Sequence, residues 1–377
     1  MNWRVPLAEF VIADDDLDAV VATYRSGWLT MGPRTAEFER LFVEYTGAAA
    51  AIAVSSGTAA LHLTCLVAGL GPGDEVIVPS LTFVATVNAI AYTGARPVFV
   101  DIAAVDQPWL SATACEQAIT ARTRAVLAVA FGGHSGEIEA LASLCERRGV
   151  LLLEDAAHAA GSRLHGRHLG TFGAASAFSM FSNKNLAVGE GGVVVTSDEA
   201  FAAQVRLLRS HGMTAMTWDR HRGHATDYDV VALGYNYRID EPRAALAASR
   251  LARLDDENTR RARIDAFYRE EFAGLDLTLA LAAVDGLESS YHLFVIVLPE
   301  GSDRSAFRER LAADRIQTSV HYPPVHEMTV HAGEHELPVT ESYAARAVTL
   351  PMFAGMTDTQ VEAVVGATKA TLAHVRS

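Results

Sequence analysis

Lysine is almost missing from this chain. Of its 31 basic side chains, only Lys184 and Lys369 are lysine. Cysteine is scarce too: Cys65, Cys115 and Cys145 lie far apart with no C-x-x-C pair. That spacing points to neither a disulfide framework nor a cysteine zinc site. There is no basic tract, and the formal net charge is −14. This argues against nucleic acid or an anionic membrane as the main partner, while leaving room for a local phosphate pocket. No apolar run reaches the ~18 residues needed to cross a bilayer. The stretch from Met1 to Pro6 lacks the apolar core of a signal peptide. What is present is a globular composition, 50% hydrophobic and 20% charged over 377 residues. That length holds two or three domains' worth of core, and a cytoplasmic enzyme or binding protein is the expected class.

The scarcity of lysine makes Lys184 informative. Arginine supplies positive charge elsewhere, so Lys184 calls for a property that arginine lacks. An ammonium can lose its proton and become a nucleophile; a guanidinium cannot. Its neighbours, from Phe178 to Gly192, are small, aromatic or neutral polar, and a glycine-rich turn follows. Such a setting suits a lysine that condenses with an aldehyde as a Schiff base. The alternative is a solvated loop lysine.

Two amphipathic helices are expected near the start. One covers 14–26, with Leu17, Val20, Val21 and Tyr24 on one face; the other covers 35–45. Short apolar runs then alternate with helical segments: 52–54, 75–78, 97–100, 125–130, 150–153, 175–178 and 193–195. Continuous rather than alternating runs mark strands buried on both faces, hence a mostly parallel α/β sheet covered by helices. Ligands of such sheets bind beyond the carboxyl ends of the strands.

That rule makes the residues after each run the candidates for ligand contact. Gly57 and Thr58 follow the first, in a strand–turn–helix layout that either binds an anion or merely caps a helix. Phe83 follows the second, as core or as a plate for a flat ligand. Asp155, beside Glu154, ends an apolar run and needs a cation: a protonated cofactor ring or an arginine. His158 can face the same pocket, and Ser179 and Lys184 come at the end of the next run. Together they offer a phosphate cradle, a ring stacker, an acid for a pyridinium and an amine for an aldehyde. Those are the needs of pyridoxal 5′-phosphate (PLP).

The motifs carrying these residues are Ser56-Gly-Thr-Ala-Ala-Leu61, Gly73-Asp-Glu-Val-Ile-Val-Pro79, Glu154-Asp-Ala-Ala-His158, Phe178-Ser-x-Phe-x-x-Lys184-Asn-Leu, Gly189-Glu-Gly-Gly192, Gly234-Tyr-Asn-Tyr-Arg238 and Tyr291-His-Leu-Phe294. In that order they resemble the DegT/DnrJ/EryC1/StrS family of PLP-dependent sugar aminotransferases. The resemblance spans nearly the whole chain. It implies an aspartate-aminotransferase-like fold, with a large domain over 1–250 and a small C-terminal domain over 251–377. It implies that Lys184 binds the cofactor aldehyde, Asp155 pairs with the pyridine nitrogen and Phe83 stacks on the ring. Gly57, Thr58 and Ser179 would hold the phosphate, and Asn236 would reach the phosphate of the other subunit of a homodimer. His158 departs from the glutamine common at that position. Some relatives carry histidine in place of the lysine and dehydrate their substrate; Lys184 places this chain with the transferases.

The expected reaction moves an amino group from L-glutamate to a nucleotide-linked keto-sugar, a dTDP-4-keto-6-deoxyhexose by family frequency. The 3-keto sugars, keto-inositols and a non-catalytic PLP-binding regulator remain alternatives. Candidate substrate residues are His321, Tyr322 and Arg222, the last in a basic segment from Trp218 to His224. Residues 241–272 read as one long helical stretch. Residues 291–298 and 316–322 read as strands of the small domain, and 358–375 as a closing helix. His326, His331 and His335 are set aside as a metal site, because no cysteine is near and the context reads as loop.

Overall fold

The computed structural model describes residues 3–215, 227–333 and 335–375. At its centre lie β1 (Ala50–Val54), β2 (Glu75–Pro79), β3 (Arg96–Val100), β4 (Thr123–Val129), β5 (Leu151–Asp155), β6 (Ala175–Ser179) and β7 (Gly192–Thr196). These are the seven apolar runs read from the sequence. They form one sheet in the order β1-β7-β6-β5-β4-β2-β3. All neighbours are parallel except β7, which runs antiparallel to β1 and β6. Their apolar continuity follows from double burial. Val76, Val78, Leu127 and Leu153 belong to one core, and Ile77, Val126 and Leu152 to another on the opposite face. Successive strand residues point to opposite faces, so a strand covered twice needs an apolar residue at every step.

Helices α1 (Asp14–Arg25) and α2 (Pro33–Thr46) precede the sheet. One face is covered by α3 (Gly57–Val67), α4 (Val84–Tyr92) and later α7 (Glu199–Arg209). The other is covered by α2, α5 (Ala112–Ala118), α6 (Ile138–Arg148) and α8 (Glu241–Leu251). Every residue of α3 from Ala59 to Cys65 is buried, as expected for a helix apolar all round.

A third core gathers α9 (Leu254–Phe272), α10 (Arg304–Ala313) and α12 (Asp358–Val375) against an antiparallel sheet of β8 (Thr278–Leu279), β9 (Phe294–Val297) and β10 (Ala347–Leu350). Helix α11 (Pro338–Arg346) leads into β10. Val5 also packs in this core and bridges to Ile316.

Three local expectations need correction. Helix α1 forms, but Leu17 and Tyr24 of its apolar face are 54% and 60% exposed. The buried side instead carries Asp16 and Thr23, and Asp16 accepts from Ser249 and Arg253. Periodicity identifies a stripe; it does not say whether this core or another surface covers it. Residues 241–272 form two helices, broken at Ala252–Arg253. The break lets both Arg250 and Arg253 approach Asp16, at 3.8 and 2.7 Å. Residues 316–322 form no strand. Ile316 and Ser319 make single bridges to Val5 and Thr349, because the edge of the sheet is used there one residue at a time.

Candidate active site

The β1–α3 turn, the end of β6 and the start of β7 meet almost backbone to backbone. A Cβ on Gly57 would sit 2.8 Å from the Ser179 Cβ, and one on Gly192 2.4 Å from the Ser56 carbonyl oxygen. Only glycine permits that approach. Ser56 caps α3 by accepting from the Ala59 amide at 3.1 Å. The amides of Gly57 and Thr58 remain in the first helical turn, where no intrahelical acceptor exists. With the positive end of the helix dipole, they form an anion cradle beside Ser179.

Nine of the expected residues line one cavity of about 370 Å³: Gly57, Thr58, Phe83, Asp155, His158, Ser179, Lys184, His321 and Tyr322. Asn236 is not among them. It is exposed and bridges to Ser210. Arg222 and the segment from Trp218 to His224 lie outside the described residues.

Asp155 is the last residue of β5 and is buried. Thr86 donates to Oδ2 at 2.6 Å, and the Ala157 amide to Oδ1 at 3.1 Å. Burial pushes its pKa up, while those bonds and the Lys184 charge oppose the rise. Among the described residues no arginine pairs with Asp155, so the salt-bridge alternative has no support there. Burial also acts on Lys184, bringing its amine down to about 8, with Asp155 pulling the other way. An amine so placed is partly neutral near physiological pH, as a nucleophile or base requires.

His158 Nδ1 accepts from the Gly132 amide at 3.1 Å. That fixes the proton of the neutral ring on Nε2, which donates to the Tyr322 hydroxyl at 3.1 Å. Burial and the nearby Lys184, His292 and His321 hold His158 well below its ordinary pKa, so the ring stays uncharged. The Gly132 amide is aimed by a left-handed turn, φ 65°. Phe83, 55% exposed, occupies the N-cap of α4, with its ring 5.9 Å from that of Tyr322.

Sequence reading missed several supports. Thr86 spends its single proton on Asp155, so Thr82, 2.7 Å away, must donate to Thr86. Thr86 and Asp155 are 69 positions apart, so no local pattern pointed to this role. Asn185, next to Lys184, gives both amide protons to Asn258 Oδ1 and the Ser290 carbonyl, and accepts from His292 Nδ1 at 2.9 Å. Asn185 and His292 stand in two of the motifs above, but nothing local showed that they meet. His326 and His331 are engaged with Ser80 and Asn88.

The donor set fits PLP on the chain's own geometry: an anion cradle kept open by Gly57, a depressed amine, a buried acid with oxygen lone pairs to spare, and an exposed aromatic plate, all on one cavity. Comparison with known proteins agrees. The model of the DegT/DnrJ/EryC1/StrS aminotransferase family matches residues 11–369. A spore coat polysaccharide biosynthesis protein, SpsC of Bacillus subtilis (strain 168), is 37% identical over 98% of this chain and 97% of its own. The aminotransferase TlmJ from Streptoalloteichus hindustanus superposes with a TM-score of 0.93 at 33% identity, over 99% of this chain and 100% of that one. Spr1654 from Streptococcus pneumoniae, in its PLP form, gives 0.92 at 29% identity over 98% and 99% of the two chains. A PMP form of the same protein matches equally well, with a TM-score of 0.93 over 99% and 100% at 29% identity. The chain therefore belongs to the DegT/DnrJ/EryC1/StrS aminotransferase family and is a PLP-dependent transaminase.

Proposed function

We propose that the enzyme carries an amino group from L-glutamate to a nucleotide-linked keto-sugar, a dTDP-4-keto-6-deoxyhexose. The observation that carries the chemistry is the pairing of a half-buried amine, Lys184, with a buried acid, Asp155, in one cavity. The sugar acceptor is supported by the polysaccharide role in the name of the SpsC relative.

Bound PLP supplies an aldehyde and a ring that withdraws electrons from the reacting carbon. The amides of Gly57 and Thr58 and the hydroxyl of Ser179 would hold its phosphate, and Phe83 would stack on its ring. Asp155, held by Thr86 and Ala157, would pair as a carboxylate with the ring nitrogen and favour its protonated form. Lys184 Nζ accepts the proton that leaves the donor's α-carbon and returns one in the second half-reaction. His158, neutral with its proton on Nε2, orients Tyr322 at the cavity wall.

The working unit in this reading is a cytoplasmic homodimer in which Asn236 reaches the other subunit's cofactor phosphate. Its support is apolar surface without cover: Val11, Ile12, Leu17 and Tyr24 are each more than half exposed. Three free, buried cysteines suit a reducing compartment. The test is incubation with glutamate and either dTDP-4-keto- or dTDP-3-keto-6-deoxyglucose, followed by NMR of the product. An amine at C4 is expected. Amination at C3 alone, or of neither sugar, overturns the substrate assignment.

A further inference from the structure

Lys184 follows an exposed turn that gives it little support. Phe181, Ser182 and Asn183 are all exposed, and the Lys184 amide donates to the Phe181 carbonyl of the same turn at 2.8 Å. The next residue is different. Asn185 is 5% exposed, and its side chain reaches across to the C-terminal part of the chain. Its partners are Asn258 on α9, and Ser290 and His292 just before β9.

The three bonds settle where the protons are. The Ser290 carbonyl can only accept, so the NH₂ end of Asn185 faces it at 2.7 Å and gives its other proton to Asn258 Oδ1 at 2.8 Å. The Oδ1 end then faces His292, whose ring proton must sit on Nδ1, 2.9 Å away. Burial and the nearby Lys184, His321 and Arg261 hold His292 well below its ordinary pKa, so the ring carries that one proton and no charge. The partners are anchored in turn. Asn258 donates to the Ala160 carbonyl at 3.0 Å, the Ser290 hydroxyl to the His158 carbonyl at 2.6 Å, and the His292 amide to the Gly132 carbonyl at 3.1 Å. A buried amide with both protons and its oxygen engaged is held rigidly. Leucine in its place would strand the His292 proton and the Ser290 carbonyl, and aspartate would set a carboxylate against two acceptors.

We propose that Asn185 is a positioning residue for the amine: fastened to α9 and to the stretch before β9, it sets where Lys184 stands in the cavity shared with Asp155. The peptide unit between the two residues is planar, so a fixed Asn185 fixes the Cα from which the amine extends. Condensation with an aldehyde and proton transfer both depend steeply on that placement. The proposal rests on Lys184 as the condensing amine.

The experiment follows uptake of PLP by cofactor-free protein, read as the visible absorbance of bound cofactor. Beside it runs binding of pyridoxamine phosphate, which has no aldehyde and needs no link to Lys184. Asn185→Leu keeps the volume and removes the bonds. It should slow PLP uptake by roughly 10- to 100-fold, since a misplacement of about 1 Å costs on the order of 10²-fold. Its affinity for pyridoxamine phosphate should stay unchanged, because the cradle and Asp155 are untouched. His292 gives a second route if Asn185→Leu folds poorly. His292→Phe keeps a ring without the donor and should slow uptake as well. His292→Asn can return an N–H to the place of Nδ1, and should recover most of that rate whatever it loses in urea unfolding. Wild-type uptake in folded Asn185→Leu or His292→Phe overturns the proposal, as does a His292→Asn protein as slow as His292→Phe. Pyridoxamine phosphate binding that weakens in step with PLP uptake also overturns it, since that means collapse of the whole site. Wild-type protein that binds PLP without the visible absorbance would instead break the Lys184 reading, so the two failures are separable.

Discussion

Two acids end the same strand and have opposite fates. Glu154 and Asp155 are adjacent on β5, both buried and both pushed up in pKa by burial. Glu154 faces the side where the chain after residue 169 wraps back, and its two oxygens accept from the Gly170 and Gly173 amides at 2.7 Å each. Asp155 faces the cavity, with one threonine and one amide bound and Lys184 nearby. One acid is closed by backbone donors and serves the fold; the other keeps lone pairs open toward a ligand. Burial alone does not distinguish a structural carboxylate from a functional one. What distinguishes them is whether the protein itself completes the hydrogen bonding.

The largest effect is expected on the Asp155 side. Lys184→Ala should abolish turnover and the visible absorbance of bound cofactor while the protein remains folded. An active, yellow variant would show that this face does not carry the chemistry. Next comes the direct contrast between the acids. Asp155→Asn should lower kcat by roughly 10²–10³-fold, the scale of losing one preorganised electrostatic partner, with thermal stability kept. Glu154→Gln should do the reverse. Its NH₂ would confront one of two amide donors, costing about 1–3 kcal/mol in urea unfolding, with kcat of the folded fraction nearly intact. Equal effects on rate from both substitutions would erase the distinction.

The smallest effect is a shift in pH dependence. With Lys184 at about 8, its neutral fraction falls about tenfold per pH unit below that value. The rate of PLP uptake by cofactor-free protein should therefore climb with pH and level off above about 8. Asp155 favours the charged amine, so Asp155→Asn should move this midpoint down, whereas Glu154→Gln should leave it in place. A midpoint insensitive to Asp155 would mean that the two groups do not sense each other.

The sheet and the site's main members were legible because their signals are local. Double burial writes continuous apolar runs into β1 to β7, and a lone lysine among arginines stands out by chemistry. The errors came where distant chain segments decide. Leu17 and Tyr24 gave α1 an apolar face, yet the side turned inward carries Asp16, answered by Arg253 some 237 positions away. Thr86 carried no signal of its own, because its partner Asp155 lies 69 positions away. Arg250 was one residue of an Arg- and Ala-rich helix until Asp16 and Val11 were found against it.

By itself the sequence determined which residues could be strands, which lysine could act as an amine and which turns could cradle a phosphate. Those properties follow from side-chain type and from spacing along one segment. Only the tertiary structure decided which of two neighbouring acids meets the cavity, which face of α1 is covered, and which side chain answers Asp16. Each of those depends on what a remote stretch of chain brings to the other side, and hydrogen-bond completion is settled only when both sides are in place.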